Sequence, residues 1–459
     1  MAKVSLRQRI RERKSRAEEW AFLLFVLEAV SGGFYVIISR GITPIFLVAS
    51  GYVLRDLLLL NVFAGLLSLL IALLLYRSMA YRAAQRNIKA RILVSMIIER
   101  FFWFMIPWGV GGDYLIILYA LALASTIPTG VYLNIAFFTS FDEQRYRKLI
   151  AYRTMASSIA SIIGQIIMIT ILAVGEPPWK YITLYTIAFS VGLISVAIVS
   201  LAPLKRIELK IAGKVEEEAE IHAGNIYLLL VALLASANLL SISWIPRLMR
   251  DLGAPDYFAA TIGFIQTITN IFASMFWVRR RITSYRYAII LLASIPVLVF
   301  ITPIPLAHLG IAVLYSFAFV GTNFYAGITY ASIVKRLGAP KASVLLSSAG
   351  ALAIVLAGII GYILVFSTLL VFLAASAFSL IGLTIALTAL PELAIIPPSY
   401  TRFYSRVLYQ SSITSYNFIL FTVSETAKAT LKFTILIAGV IILFIIYRTL
   451  YYLVILTGG

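Results

Sequence analysis

Along most of this chain, apolar residues run unbroken rather than recurring at every second or third position, and polar residues gather between the runs. LLLLNVFAGLLSLLIALLLY, starting at Leu57, is typical. A helix built from it is apolar on every face, so its surroundings are lipid or other helices. Crossing a hydrocarbon core of ~30 Å takes about 20 residues. Thirteen such segments are predicted, near 20–39, 54–76, 92–111, 114–139, 150–173, 181–202, 225–246, 257–277, 287–303, 306–333, 342–365, 367–390 and 431–455. A β-barrel is excluded, because its strands are alternating segments of about ten residues.

The pattern repeats at about half the chain length. DEQRYRKLIAYRTMASSIASIIGQIIMITIL from Asp142 and LGAPKASVLLSSAGALAIVLAGIIGYILVF from Leu337 both pass from a turn into an apolar run with Ser, Ala and Gly. SGYVLRDLLLLNVFAGLLSLLIALLLYR from Ser50 and APDYFAATIGFIQTITNIFASMFWVRRR from Ala254 likewise share a layout. Between the halves lies LKRIELKIAGKVEEEAEIHAG. The predicted organisation is a basic tail at 1–19, a six-helix bundle at 20–203, a linker at 204–224, a second bundle at 225–391 and a C-terminal segment at 392–459. Repeats of this kind mark secondary transporters.

Composition supports the membrane reading: 61% of residues are hydrophobic and 12% charged, too few charges to cover a soluble surface. The net charge of +19 raises nucleic acid as a partner, but its placement argues against that. Of 38 Lys and Arg, 31 fall in the tail and in alternate loops, while Arg40, Arg55, Lys180, Arg247, Arg250 and Arg448 are assigned to the other side. This asymmetry predicts a multi-pass protein of the cell membrane with a cytoplasmic N-terminus and an extracytoplasmic C-terminus, in contact with membrane lipids. The first apolar run exceeds a signal-peptide core and reads as a span. Zero Cys removes disulfides and thiolate metal sites.

Polar side chains inside a bilayer are costly, so those that occur there are candidates for chemistry. Glu28, Ser31, Gly32, Tyr35 and Ser39 fall on one face of the first span. Glu28 is the one carboxylate this reading places deep in the core-forming spans, and it fits cation binding or proton carriage; the competing reading is a hydrogen-bonded structural Glu. Other stripes carry Asn61, Asn134, Gln165, Asn238, Gln266, Asn270 and Asn323. Each has a packing alternative, since small and polar residues also draw membrane helices together. Glu99 and Arg100 sit in the third span as consecutive residues, which point in different directions and are expected to be poor partners. With no inward cation assigned, the expected substrate is a neutral, zwitterionic or cationic small molecule. His222 and His308 are too far apart to suggest a metal site, no P-loop sequence occurs, and no catalytic cluster or cofactor is indicated, so an enzyme is not expected.

The two six-span halves and charged middle loop resemble the major facilitator superfamily, through YRSMAYRAAQRNIKAR between spans 2 and 3, WVRRRITSYR between spans 8 and 9, and the two stretches from Asp142 and Leu337. The resemblance implies an all-α polytopic membrane protein of two six-helix bundles, here with a thirteenth transmembrane helix, and transport by alternating access with possible proton or cation coupling. It also implies that spans 1, 2, 4, 5, 7, 8, 10 and 11 line a central cavity. The loop positions that remain of the family's gating pattern are Arg82 and Arg86 in one copy and Arg279 and Arg286 in the other; the family's Asp is missing from both.

After Pro391 the sequence departs from a twelve-span layout. PPSYTRFYSRVLYQSS predicts a basic amphipathic helix in the membrane interface, followed by the thirteenth span. This makes 398–459 a candidate handle for a membrane-protein partner. The alternative function is then a non-transporting scaffold subunit within a larger complex.

Overall fold

In lipid, every backbone N–H and C=O must be satisfied inside its own segment, so the apolar runs have no stable choice but helix. The computed structural model describes residues 6–76, 80–141, 143–204, 217–281, 284–337 and 339–389, and over these it is helical, with no strand. The helices are α1 (Leu6–Ala49), α2 (Leu54–Leu74), α3 (Ala80–Gly109), α4 in two segments (Leu115–Ala124 and Thr126–Ser140), α5 (Glu143–Val174) and α6 (Trp179–Leu201). The second half has α7 (Glu217–Pro246, extended by a π turn at Arg247–Asp251), α8 (Asp256–Val278), α9 (Tyr285–Ile301), α10 (Ala307–Leu337), α11 (Ala339–Leu364) and α12 (Thr368–Ala389). Ten are long and apolar enough to cross a membrane, and the shorter apolar helices Tyr285–Ile301 and Ala307–Asn323 complete the set. The predicted amphipathic helix and thirteenth span of 392–459 lie outside the described residues.

Local chemistry explains the breaks. Pro128 has no N–H to offer the carbonyl of Ala124, which is where α4 divides. Equivalent helices of the two halves, α1 and α7, end on Gly51 (φ +101°) and Gly253 (φ +66°), a conformation that only glycine adopts without strain. At the first, Tyr52 N–H donates to Leu47 O at 3.0 Å; at the second, Ala254 N–H donates to Leu248 O at 2.9 Å. Part of the predicted linker is also helical, since residues 217–224 begin α7.

The repeat seen in the sequence is a repeat in packing. α1 lies against α5 and α6, as α7 lies against α11 and α12; α2 packs on α4, as α8 packs on α10. Between the halves the main contacts are α2 with α11 and α5 with α8, a pair that exchanges under the same two-fold operation. Glycines permit the first of these. A Cβ on Gly65 would stand 2.9 Å from the backbone N of Val355, and one on Gly358 would stand 3.1 Å from that of Val62. The protein is therefore an all-α polytopic membrane protein made of two six-helix bundles.

One boundary differs in a way that matters. The first span was expected to end near residue 39, but α1 runs on to Ala49. Arg40 consequently lies nine residues inside the helix, about 14 Å from its end at 1.5 Å per residue, not in an outer loop.

Candidate binding cavity between the two halves

Where α1 and α5 of the first half meet α7, α8 and α10 of the second, they line a partly open cavity of about 240 Å³. Its walls are mainly aliphatic, with Trp244 and Tyr315 as aromatic surfaces and Arg40, Gln165, Ser241 and Gln266 as polar groups. Among the described residues that line it, Arg40 alone carries a charge. Gly41 and Pro44 of α1 stand beside Arg40 in the wall, and Pro44 denies the Arg40 carbonyl its usual helical donor.

Behind Arg40 is a charge cluster buried between α1, α3 and α6. Its guanidinium Nη2 donates to Glu99 Oε1, and Arg100 Nη1 donates to the other carboxylate oxygen of Glu99 at 3.2 Å. Arg100 Nη2 donates in turn to Ser195 Oγ at 3.1 Å, and its guanidinium lies 4.7 Å from the centroid of the Tyr35 ring. Glu99 is 1% exposed and Arg100 3%, whereas the Arg40 side chain keeps 34% of its surface open. Gly192 makes the room: a Cβ there would stand 2.8 Å from Arg100 Cγ. Several polar atoms around this cluster and cavity have no hydrogen-bond partner in the protein, among them Tyr35 Oη, Arg40 Nε, Arg100 Nε, Trp103 Nε1 and Gln165 Oε1.

Two sequence expectations are corrected here. Glu99 and Arg100 are direct partners, because both long side chains bend to the same side of α3. Glu28 on α1 is buried as expected, and Glu99 on α3 is buried too. The lining is not free of cations, because Arg40 was assigned to a loop by a helix boundary placed ten residues short. The signal for Arg40 was present: the apolar pattern resumes after it, from Ile42 to Val48.

The remaining expected site residues scatter. Gln165 and Gln266 reach the cavity wall; Gln165 is 1% exposed. Glu28 is buried away from the lining, where Arg153 Nη1 of α5 donates to it at 2.6 Å and also to the Phe25 carbonyl. Tyr35 supports Arg100. Asn61 donates to Leu57 O at 2.8 Å and accepts from Tyr119 at 3.4 Å. Asn134 and Asn238 are half-buried, as is Asn270, whose Oδ1 has no partner, and Asn323 is exposed. Ser39 and Thr43 bond back to carbonyls of their own helix, which absorbs them into α1. Of the loop arginines, Arg279 is exposed at the end of α8 and Arg286 lies 5.2 Å over the Tyr287 ring; the side chains of Arg82 and Arg86 lie outside the described residues.

Polar contacts also tie the halves together at the face carrying the α1–α2 and α7–α8 turns. Lys180 of α6 pairs with Asp256 of α8 at 2.6 Å, and Tyr181 donates to the same carboxylate oxygen at 2.6 Å. Arg55 of α2 donates to Tyr362 of α11 at 2.9 Å.

Two bundles that pack alike are joined through α2–α11 and α5–α8 around a cavity, an arrangement shared with solved transporter structures. Among solved structures, the nucleoside transporter NupG is similar with a TM-score of 0.55 at 14% identity, over 80% of this chain and 97% of its own. An aspartate-to-alanine mutant of NupG gives a TM-score of 0.56 at 14% identity, over 80% of this chain and 98% of its own. No protein-family model matches the sequence, and no curated protein matches it. At that identity the likeness is one of fold.

Proposed function

We propose that the protein is a secondary transporter that moves a small molecule across the cell membrane by alternating access, with its basic loops in the cytoplasm. The observation that carries this is the cavity, whose walls and polar groups come from both bundles. A scaffold has no use for such a space, and filling it with side chains would stabilise the protein. The arrangement of contacts supports rocking. Lys180–Asp256 and Arg55–Tyr362 join the halves at one face, while α4 and α11 meet through Val131, Ile135 and Val344 towards the other. A rigid-body rotation that breaks one set preserves the other. Similarity to NupG makes nucleosides the first neutral probes.

Reconstituted full-length protein is expected to show saturable uptake of a substrate that widening Ser241 to Trp abolishes. Because the native chain has no Cys, spin labels at Lys148→Cys and Arg279→Cys can follow the basic face, and labels at Trp179→Cys and Leu306→Cys the other. Alternating access requires two distance populations that shift in opposite senses at the two faces. A single fixed distance at both, in every lipid and ligand condition, would refute it.

A further inference from the structure

We propose that the cavity binds a small organic monoanion, with its single negative group held by Arg40 and its apolar body laid against Trp244 and Tyr315. This rests on the reading of the cavity as the transport site and names the class of its substrate.

The argument begins with charge. The cluster contains two guanidinium groups, Arg40 and Arg100, and one carboxylate, Glu99. Glu99 bridges both guanidinium groups, so the cluster keeps one net positive charge, and Arg40 is its member that lines the cavity. A net positive charge within a membrane-spanning bundle is costly, and pairing is what such residues require. One negative charge on a ligand brings the site to neutrality. A dianion leaves a net negative charge, and a cation meets Arg40 across a poorly screened space.

Geometry agrees. A guanidinium offers five donors in a planar fork suited to a carboxylate, and Arg40 spends Nη2 on Glu99. Its side chain keeps 34% of its surface open, and the residue lines the cavity. Gln165 of α5 also lines the cavity, with its Oε1 buried and unpartnered. At about 240 Å³, the space falls below the ~300–1,000 Å³ of drug-sized sites, which selects a compact molecule. The aromatic and aliphatic walls favour an apolar body over a bare inorganic anion, whose hydration they cannot replace.

The test is equilibrium binding to purified full-length protein, using benzoate against its neutral isostere benzamide, with benzylammonium, uridine and chloride as further probes. Benzoate is expected to bind at least about tenfold tighter than benzamide. Arg40→Gln leaves a neutral Glu99–Arg100 pair, so the fold should survive; it is expected to weaken benzoate about 30-fold and leave benzamide unchanged. Arg40→Lys should recover part of that loss. Equal binding of benzamide, uridine or benzylammonium, or protection by chloride alone as good as by benzoate, overturns the proposal. So does discrimination that persists in Arg40→Gln. If that variant aggregates, the comparison of the two isosteres on the native chain still decides. Benzoate-selective binding without flux in proteoliposomes removes the transport reading and leaves the site. Saturable uridine flux without carboxylate selectivity removes the site's assignment and leaves transport.

Discussion

The Arg40 guanidinium on α1 is hydrogen-bonded to the Glu99 carboxylate on α3, 59 positions further along the chain, and the bond joins the cavity wall to the buried interior of the first bundle. Arg40 is half-buried and reaches the lumen; Glu99 and Arg100 behind it are nearly sealed. The carboxylate therefore holds a cation in the wall of a membrane cavity while a second cation secures the carboxylate.

Glu99→Gln removes the one negative charge and leaves two facing guanidinium groups. Breaking a buried pair from one side typically costs about 3–5 kcal/mol. The variant should melt well below the native protein, as measured by thermal unfolding in detergent. The double variant Glu99→Gln/Arg100→Gln, which restores the original net charge, should recover most of that loss. A double variant no more stable than the single one would show that the two side chains do not act as a pair.

Gly192 is where α6 approaches Arg100, and a methyl group there would also stand 3.0 Å from Tyr35. Gly192→Ala overpacks a layer whose occupants are fixed by an ion pair, at about 1–3 kcal/mol. A lower melting temperature and weaker benzoate binding are expected together, because Arg100 can move only by loosening Glu99. Unchanged stability would mean that the layer has slack.

Asp256 joins the two halves through Lys180 and Tyr181, with both charged side chains largely buried. Asp256→Asn weakens that junction and should favour the state open at this face. With Ser241→Cys as the single thiol, labelling by a membrane-impermeant reagent should quicken about fivefold for each ~1 kcal/mol by which the balance shifts. Labelling at the native rate would remove the junction from the gate.

Glu28 and Arg153 test the earlier reading of Glu28 as a coupling residue. Glu28→Gln leaves Arg153 without its carboxylate against the Phe137 ring, and a loss of about 3 kcal/mol in stability is expected. If the pair is structural, Glu28→Gln/Arg153→Gln recovers both stability and flux. Flux that stays lost in a stable double variant would restore the coupling role.

Much of this was legible in the sequence, and the exceptions share a cause. The runs, the repeat and the alternating basic loops depend on neighbours along the chain, and they led to two bundles of six. The stripe Glu28, Ser31, Tyr35 and Ser39 is indeed a buried face of α1, because one face of a helix is a local property. Which of those residues met a partner was not local. Glu28 found Arg153 at a separation of 125 positions, and Arg100 found Ser195 at 95. Gln165 and Gln266 were singled out beside Asn61, Asn134 and Asn323 with nothing to rank them, since a polar residue on an apolar helix reads the same whether it faces a lumen, a neighbour or lipid.

Sequence alone determined that this chain lives in lipid, how often it crosses in each half and that the halves are copies, because unsatisfied backbone and exposed apolar surface are penalties paid segment by segment. Tertiary structure decided the sign of the cavity. Whether Arg40 lay in water or in the wall depended on where α1 ended, and the net charge there depended on the single carboxylate of Glu99 meeting two arginines in the interior. Electrostatic balance is a sum over groups brought together in space, and it is fixed only when helices distant in sequence have packed.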